Sequence, residues 1–324
     1  MMVRKAVNVI WPQRLPGAIT MAIVMILSAV STVLGVTTLE QKTFPSPQQA
    51  VETLIDAVRN NSDAELLAIF GPGSEPLISS GDEVADQSGK ARFLKAYAEK
   101  NTIKQEGGRT TLIIGDKEYP FPIPLVRQGD AWRYDTEAGL DEILNRRVGR
   151  NELHTIDVMH AYTEAQREYA CMQRHGGGTA EFAQKLASSE GRQDGLYWKV
   201  EAGEKESPFG PLIARAVEQG YSGGLDQDPP EAYRGYYFKV LRQQGPHANG
   251  GAFDYVVDGK MILGFGLVAY PAKYGASGIM TFIVNQEGVI YERDLGERTA
   301  AMAAAMTRFD PDASWQKYTE VVEP

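Results

Sequence analysis

Residues 110–126 read TTLIIGDKEYPFPIPLV, and this stretch decides the fold of the first half of the chain. An apolar, β-branched run leads into a Gly-Asp turn at residues 115–116 and a second extended run at residues 119–126, a pattern typical of a β-hairpin. The second run contains three alternating prolines, Pro120, Pro122 and Pro124. Their missing N–H groups would all face one side of a strand, so the stretch predicts an edge strand with one blocked side.

Three helices are predicted upstream of this hairpin. Ser46 as the N-cap, Pro47 at the first helical position and Gln49 in a capping box begin the first helix. The second begins at Ser62, and the third covers roughly residues 89–100. Helices followed by a small curved antiparallel sheet resemble the NTF2-like fold. Residues 46–137 are therefore interpreted as an NTF2-like α+β domain.

The second half begins with a long helical pattern and then becomes rich in strands. Residues 138–175 repeat apolar positions at helical spacing and predict a linking helix, which Gly149 is expected to break in two. Two short helices are predicted further on, at residues 179–187 and 211–219. Runs separated by turn residues predict several strands in residues 235–293. Residues 176–324 are thus expected to form a C-terminal α+β domain with a mixed antiparallel sheet.

The N-terminus consists of a basic flank and an apolar run. Its charged residues before Glu40 are all basic: Arg4, Lys5 and Arg14. Residues 15–39 carry no charge, whereas a buried helix of a soluble protein would have polar positions on one face. We therefore expect residues 1–36 to be a secretory signal peptide or a signal anchor, followed by a linker at residues 37–45. Spanning a bilayer takes about 20 residues, so cleavage and anchoring both stay open.

The composition of the chain limits the kinds of partner that it is expected to bind. The formal net charge is −9, and an acidic chain without a Lys/Arg cluster repels phosphate backbones, so no nucleic-acid partner is expected. Contact with a membrane is expected only through the N-terminal segment. Cys171 is the single cysteine and cannot form a disulfide within the chain. Its neighbours predict a small buried hydrophobic side chain rather than a nucleophile.

A series of motifs links this chain to a known family. In chain order they read DGLYW (194–198), SPFGPL (207–212), YRGYYF (233–238), VAYPAKYG (268–275), MTFIVN (280–285) and RFDPD (308–312). Together they resemble the bacterial envelope family called domain of unknown function 2950, from about residue 44 to residue 315. The resemblance implies export in a Gram-negative-type host and supplies no catalytic or ligand-binding residues.

A second resemblance concerns the C-terminal half alone. The helix around residues 161–170, followed by a small antiparallel sheet, is similar to the globular part of type IV pilins and pseudopilins. Those proteins place this helix directly after their membrane segment, whereas here a whole predicted domain intervenes. A pilin-like sheet domain is therefore expected, and a pilin is not.

No motif fixes a reaction. Residues 264–269 match the letters of a dinucleotide fingerprint, but no helical period follows them. The four histidines lack the spacing of a helical metal site, and the acidic loop at residues 226–231 lacks the calcium-loop pattern. Ser277 does not lie in a Gly-x-Ser-x-Gly elbow. We expect no catalytic residue, no metal and no cofactor, and a protein that is more readily a binding module than an enzyme.

Three functions remain, of which a non-catalytic interaction or assembly module for an envelope protein partner is preferred. The protein is expected in the periplasm or at the envelope. The first alternative is a module that binds cell-wall or other glycans through exposed aromatic side chains, with Trp198, Tyr236 and Tyr237 as candidates. The second is a small-molecule or hydrolytic site in the concavity that NTF2-like folds often provide. Its polar candidates are Tyr97, Arg133 and Asp135.

Overall fold

The structure, a computed structural model, describes residues 40–106, 108–175, 180–201, 203–222 and 231–319. The predicted signal or anchor segment at residues 1–36 lies outside the described residues. By their contacts, residues 39–324 belong to one compact unit, and the predicted domain boundaries stay predictions. Within the described ranges no helix is both long and apolar enough to cross a membrane.

Four helices precede the first sheet, and polar side chains cap the starts of the first, second and fourth. Ser46 Oγ accepts a hydrogen bond from the Gln49 amide at 3.2 Å, as the sequence predicts. Asp82 caps the fourth helix in the same way, accepting from the Ala85 amide at 2.8 Å. The fourth helix therefore begins at Glu83 and not at the predicted residue 89. The helices are α1 Pro47–Arg59, α2 Asp63–Phe70, α3 Glu75–Ile78 and α4 Glu83–Glu99.

The first sheet is antiparallel, in the order β1-β2-β4-β5, with β3 paired to the end of β2. Its strands are β1 Asn101–Glu106, β2 Arg109–Ile114, β3 Tyr119–Pro120, β4 Leu125–Gln128 and β5 Ala131–Tyr134. The predicted strand at residues 119–126 is divided into β3 and β4, because Pro122 and Pro124 between them supply no ladder N–H. Of these two strands β3 lies at an edge, whereas β4 pairs on both sides. The predicted single edge strand was therefore wrong for β4.

The first hydrophobic core lies between α1, α2 and this sheet. The apolar stripe of α1 supplies Leu54 and Ile55, which are both 2% exposed. Phe44 belongs to the same core although it falls in the predicted linker. Its backbone exchanges two hydrogen bonds of 2.7 Å with Trp132 of β5. The end of the predicted linker is thus part of the packed structure.

One 40-residue helix, α5 Thr136–His175, passes from the first core to the second. Ile143 packs on the first core, while Met159 and Tyr162 are fully buried in the second. The predicted break at Gly149 is wrong. A single helical glycine costs about 1 kcal/mol relative to alanine, which the packing of both ends of α5 outweighs.

The second core lies between α5 and a five-stranded antiparallel sheet in the order β15-β13-β12-β11-β6. These strands are β6 Tyr236–Leu241, β11 Gly266–Pro271, β12 Met280–Asn285, β13 Tyr291–Asp294 and β15 Gln316–Lys317. Two small sheets add β7 Gln243–Gln244, β8 Phe253–Asp254 and β14 Arg308–Phe309, and β9 Val256–Val257 with β10 Lys260–Met261. The helices of this half are α6 Gly210–Glu218, a 3₁₀ turn at Gly296–Arg298, and α7 Thr299–Ala305. The predicted α+β class is confirmed.

Two local predictions in this half are wrong. Residues 180–187 are not helical; Phe182 instead pairs with Met261 and packs its ring 4.9 Å from that of Phe265. Tertiary packing thus overrides a weak helical pattern. Cys171 is exposed rather than buried, because Tyr169 and Ala170 occupy the core-facing positions of this part of α5.

Candidate functional site

A cavity of about 660 Å³ opens beside the first core. Helices α1, α2, α4 and α5 form most of its wall, and Gln219, Tyr221 and Arg234 close the side toward the second core. Its volume falls within the roughly 300–1,000 Å³ of small-molecule sites. Because both halves of the chain line it, the cavity depends on their packing together.

Part of the cavity lining is apolar. It consists of aliphatic and aromatic side chains: Leu54, Val58, Leu66, Phe70, Phe93, Phe121 and Ile143. The ring of Phe121 lies 5.6 Å from that of Phe93 and 6.4 Å from that of Phe70. A hydrocarbon chain placed against this floor would be removed from water, which is favourable in proportion to the apolar area covered.

The rest of the lining is strongly basic. Its cationic members are Lys90, Arg92, Arg146, Arg147, Arg150 and Arg234. Two of these have acidic partners outside the cavity: Lys90 lies 2.8 Å from Asp63, and Arg146 lies 2.6 Å from Glu142. Asp86 is the one carboxylate among the described lining residues.

Arg147 and Asp86 form the inner end of the basic region. The Arg147 guanidinium donates to the carbonyl oxygens of Pro76 and Leu77, at 2.7 and 2.8 Å. Both Asp86 oxygens are occupied, since they accept from the hydroxyl and the amide of Ser80 at 2.7 and 2.8 Å. Burial lowers the pKa of Arg147 and the nearby Asp86 opposes that change. Asp86 therefore offsets the charge of Arg147.

Four lining arginines form no ion pair with a carboxylate in the described part of the chain: Arg92, Arg147, Arg150 and Arg234. The charge of Asp86 acts on Arg147, so Arg92, Arg150 and Arg234 are the three left uncompensated. Arg92 donates only to Ser88 of its own helix, at 2.6 Å. Burial lowers the pKa of Arg150, and the charges of Arg92 and Arg234 lower it further. The three cations are thus close enough to repel one another, and an anion among them would relieve that repulsion.

Arg234 is held in place by a strained turn. It and Gly235 have φ angles of 51° and 84°, and a Cβ at Gly235 would lie 2.5 Å from Asn151 Nδ2. The Arg234 guanidinium donates to Gln219 Oε1 at 2.9 and 3.2 Å and contacts the His154 ring. A positive φ in a non-glycine residue persists only where its surroundings impose it. The side chain is therefore oriented toward the cavity before any ligand binds.

The buried carboxylate of Asp82 fixes that turn to α4. Asp82 Oδ2 accepts from the Tyr221 hydroxyl at 2.9 Å and from the Gly235 amide at 2.7 Å. The Arg234 amide in turn donates to the Tyr221 hydroxyl at 3.1 Å. Burial raises the pKa of the Asp82 carboxyl, although these hydrogen bonds lower it. One side chain thereby positions both the start of α4 and the turn that carries Arg234.

The three polar residues predicted for an N-terminal concavity do not line this cavity. Arg133 donates to Gln41 Oε1 at 3.2 Å, and Asp135 lies 3.9 Å from Arg109. Tyr97 packs against the first core from its edge. Arg133 in β5 and Asp135 at its end thus contact other partners, and their role in a binding site stays a prediction.

The aromatic candidates for glycan binding are mostly used in packing. Tyr236 is 0% exposed and its hydroxyl donates to the Met280 carbonyl at 2.9 Å, so it cannot stack on a sugar. Trp198 is half-buried and contacts the Tyr169 ring edge-on at 6.5 Å. Tyr237, on the opposite face of β6, is half-buried with its ring 5.5 Å from that of Tyr270.

The sequence contains a signal for the basic cavity that no established motif describes. Arg146, Arg150 and His154 follow one another at intervals of four along α5, which places them on one helical face. A cationic stripe beside an apolar one on a helix that faces a predicted concavity indicates an anion site. Arg92 and Arg234 line the same cavity because of tertiary packing, and no local sequence pattern predicts their position there.

The cavity lining combines cationic and apolar groups that can bind a ligand. Among the described residues no group of three or more His, Cys, Asp or Glu side chains is placed to hold a metal ion. The lining hydroxyls are those of Ser80, Ser88, Tyr119 and Tyr221, and all four already have partners: Asp86, Arg92, Arg146 and Asp82. Permanent cations around a polar mouth and an apolar interior are suited to holding an anionic amphiphile.

Comparison with known proteins gives one positive result. A family model described as "Protein of unknown function (DUF2950)" matches residues 41–318. No curated protein and no solved structure matches the chain.

Proposed function

This chain belongs to the DUF2950 family, and we propose that it is a non-catalytic binding protein whose cavity holds a small anionic amphiphile. One observation carries the proposal: a cavity of about 660 Å³ is lined both by apolar side chains and by three arginines without carboxylate partners in the described residues. A hydrocarbon part would lie on the floor formed by Phe70, Phe93 and Phe121, and the anionic group would face the arginines.

The expected fold and location support this proposal. The NTF2-like arrangement proposed for residues 46–137 often provides a concavity in this position. Export through residues 1–36 is also a proposal. It would place the protein in the compartment that contains the amphiphiles of the envelope. The expectation of an envelope protein partner stays open beside it, since a binding protein must deliver or receive its ligand. A pilin-like role for the second half has no comparable geometric basis.

Filling the cavity tests the proposal. Gly89 lines it from α4, and a Cβ there would approach only the Arg92 guanidinium, at 3.9 Å. Gly89→Leu should therefore occupy part of the cavity without clashing with the backbone, and should stabilise α4, since glycine is a poor helix former. We expect it to weaken binding of a fluorescent fatty acid at least tenfold.

Gly149→Leu is the matched control. Gly149 also lies on a helix, a Cβ added to it would have no atom within 4 Å, and it does not line the cavity. Binding should be unchanged in this variant. Equal affinities of the wild-type protein and Gly89→Leu would overturn the proposal. So would a complete lack of bound amphiphile in native mass spectra of the protein recovered from its host.

A further inference from the structure

We infer that the anionic group of the ligand is a phosphate, so that the site recognises a single apolar chain ending in a phosphate. The inference rests on the proposed function and specifies the chemistry at the mouth of the same cavity. It depends on the number, the type and the arrangement of the charges that face the ligand.

The charge count favours more than one negative charge. Asp86 offsets Arg147, and outside acids pair with Lys90 and Arg146. Arg92, Arg150 and Arg234 remain, and each carries a permanent positive charge. A carboxylate would neutralise one of the three. A phosphate monoester carries about −1.5 to −2 charges at pH 7 and offers three acceptor oxygens.

The type of the three cationic side chains also favours a phosphate. All three groups are guanidinium ions, whose planar fork of donors matches the oxygens of a phosphate bidentately. Lysine, a point charge, is present at the cavity only as Lys90, and its ammonium lies 2.8 Å from Asp63. The cations that are available to a ligand are thus of the kind that phosphate recognition favours.

The three arginines come from three separate elements. Arg92 comes from α4, Arg150 from α5, and Arg234 from the turn before β6. All three line the same cavity, and the charges of Arg92 and Arg234 both lower the pKa of Arg150. Donors from three separate elements suit the three oxygens of a phosphate better than the two coplanar oxygens of a carboxylate.

The interior of the cavity limits the chemistry of the group attached to the phosphate. The apolar lining includes Leu54, Val58 and Phe93, and the polar lining groups Asn151 and Gln219 already bond to Ser277 and Arg234. A nucleotide or a sugar phosphate placed against the apolar lining would lose hydrogen bonds to water without replacing them, which is unfavourable. An alkyl or isoprenoid chain loses none.

Three probes separate the possibilities by calorimetry with the full chain: decyl phosphate, decanoate, and inorganic phosphate, all below micelle-forming concentrations. We expect decyl phosphate to bind at least tenfold more tightly than decanoate and far more tightly than inorganic phosphate. Arg150→Gln should remove most of the preference for phosphate over carboxylate. Arg127→Gln changes an exposed arginine of the first sheet that pairs with Asp130, and should leave the preference intact.

The outcomes of these binding measurements test the phosphate inference separately from the proposed binding of an amphiphile. Equal binding of decyl phosphate and decanoate would refute the phosphate while leaving an amphiphile site. Equal binding of inorganic phosphate and decyl phosphate would show that the apolar floor is not used, and would overturn both. A preference for phosphate that survives in Arg150→Gln, in a variant that folds and binds decanoate as the wild type does, would remove the assignment to these arginines.

Discussion

Asp82 and Tyr221, 139 positions apart in the chain, are joined by a hydrogen bond of 2.9 Å from the tyrosine hydroxyl to the carboxylate. The contact connects the first turn of α4 to the segment after α6, and so the two halves that line the cavity. The same carboxylate oxygen accepts from the Gly235 amide at 2.7 Å. The orientation of Arg234 toward the cavity therefore depends on one buried acid.

The Asp82 carboxyl should make the stability of the protein depend on pH. Burial raises its pKa above the ordinary value of 3.8, so the folded state binds this proton more tightly than the unfolded state does. The stabilisation from protonation is complete below about pH 3.8 and is lost as the pH rises through the raised pKa. Asp82→Asn cannot titrate and serves as the reference.

Urea unfolding of both proteins from about pH 3.5 to pH 8 checks this prediction. The free energy of unfolding of the wild type, minus that of Asp82→Asn, should decrease as the pH rises and then level off. A difference that increases with pH would mean that the hydrogen bonds to Asp82, and not its burial, control its pKa. Asp63→Asn, which changes an exposed acid, provides the control.

His154 should report the arrival of an anion. Burial lowers its pKa below 6.5, and the neighbouring Arg234 lowers it further. An anion bound among the arginines would favour the charged imidazolium and raise that pKa. By linkage, a ligand of fixed charge should bind most tightly at low pH, and its affinity should fall as the pH rises through the pKa of the bound state.

An NMR titration of the histidine ring protons, with and without decyl phosphate, measures the shift directly. The ring of His247 lies 3.0 Å from Asp310 and does not line the cavity, so its chemical shift should not change when the ligand is added. A His154 pKa that stays the same or falls on binding would place the anion elsewhere.

Local chemistry predicts some elements well and others not at all. Ser46 and Pro47 identify the start of α1, and Pro211 marks the start of α6, because caps and proline act within one turn. β1 is stabilised by pairing with β2 along its length, and residues 180–187 are held by contacts with α5 and β10. Contacts of this kind, between one segment and another, leave no period in the sequence.

The candidate site shows the same division. The apolar stripe of α1 and the basic face of α5 can be read from spacing. The meeting of Arg92, Arg150 and Arg234 depends on the Asp82 contact and cannot be read from spacing. The three residues predicted for a concavity do not line this cavity, since a fold resemblance indicates a cavity without saying which side chains face it.

Gln166 should be a strong determinant of stability. It is 0% exposed, and its amide exchanges two hydrogen bonds of 2.8 Å with the backbone of Ala183. Gln166→Leu would leave a buried N–H and a buried C=O without partners, at a cost of about 1–3 kcal/mol each. We expect the free energy of unfolding to fall by about 2–5 kcal/mol, measured by urea denaturation.

The control for this change is Gln184→Leu, since Gln184 makes a single exposed hydrogen bond to Gly259 and should cost less than about 0.5 kcal/mol. Comparable losses of unfolding free energy in the two variants would contradict the stabilising role assigned to Gln166. Residues 180–187 would then be held by packing of Phe182 alone.

Two glycines of the same helix should respond to alanine with opposite signs. A Cβ at Gly139 would lie 2.3 Å from the Pro122 carbonyl oxygen and 2.7 Å from the Ile123 amide nitrogen. These are backbone atoms that cannot rotate away, so Gly139→Ala must push α5 from the segment between β3 and β4. We expect a loss of about 2–4 kcal/mol, within the range of severe packing changes.

At Gly149 a Cβ would meet nothing within 4 Å. Gly149→Ala should therefore stabilise the protein by up to about 1 kcal/mol through helix propensity. Thermal and urea unfolding of the two single variants measure both signs. If Gly149→Ala were destabilising, α5 would need flexibility or a bend at this position, and the continuous helix between the two cores would have to be given up.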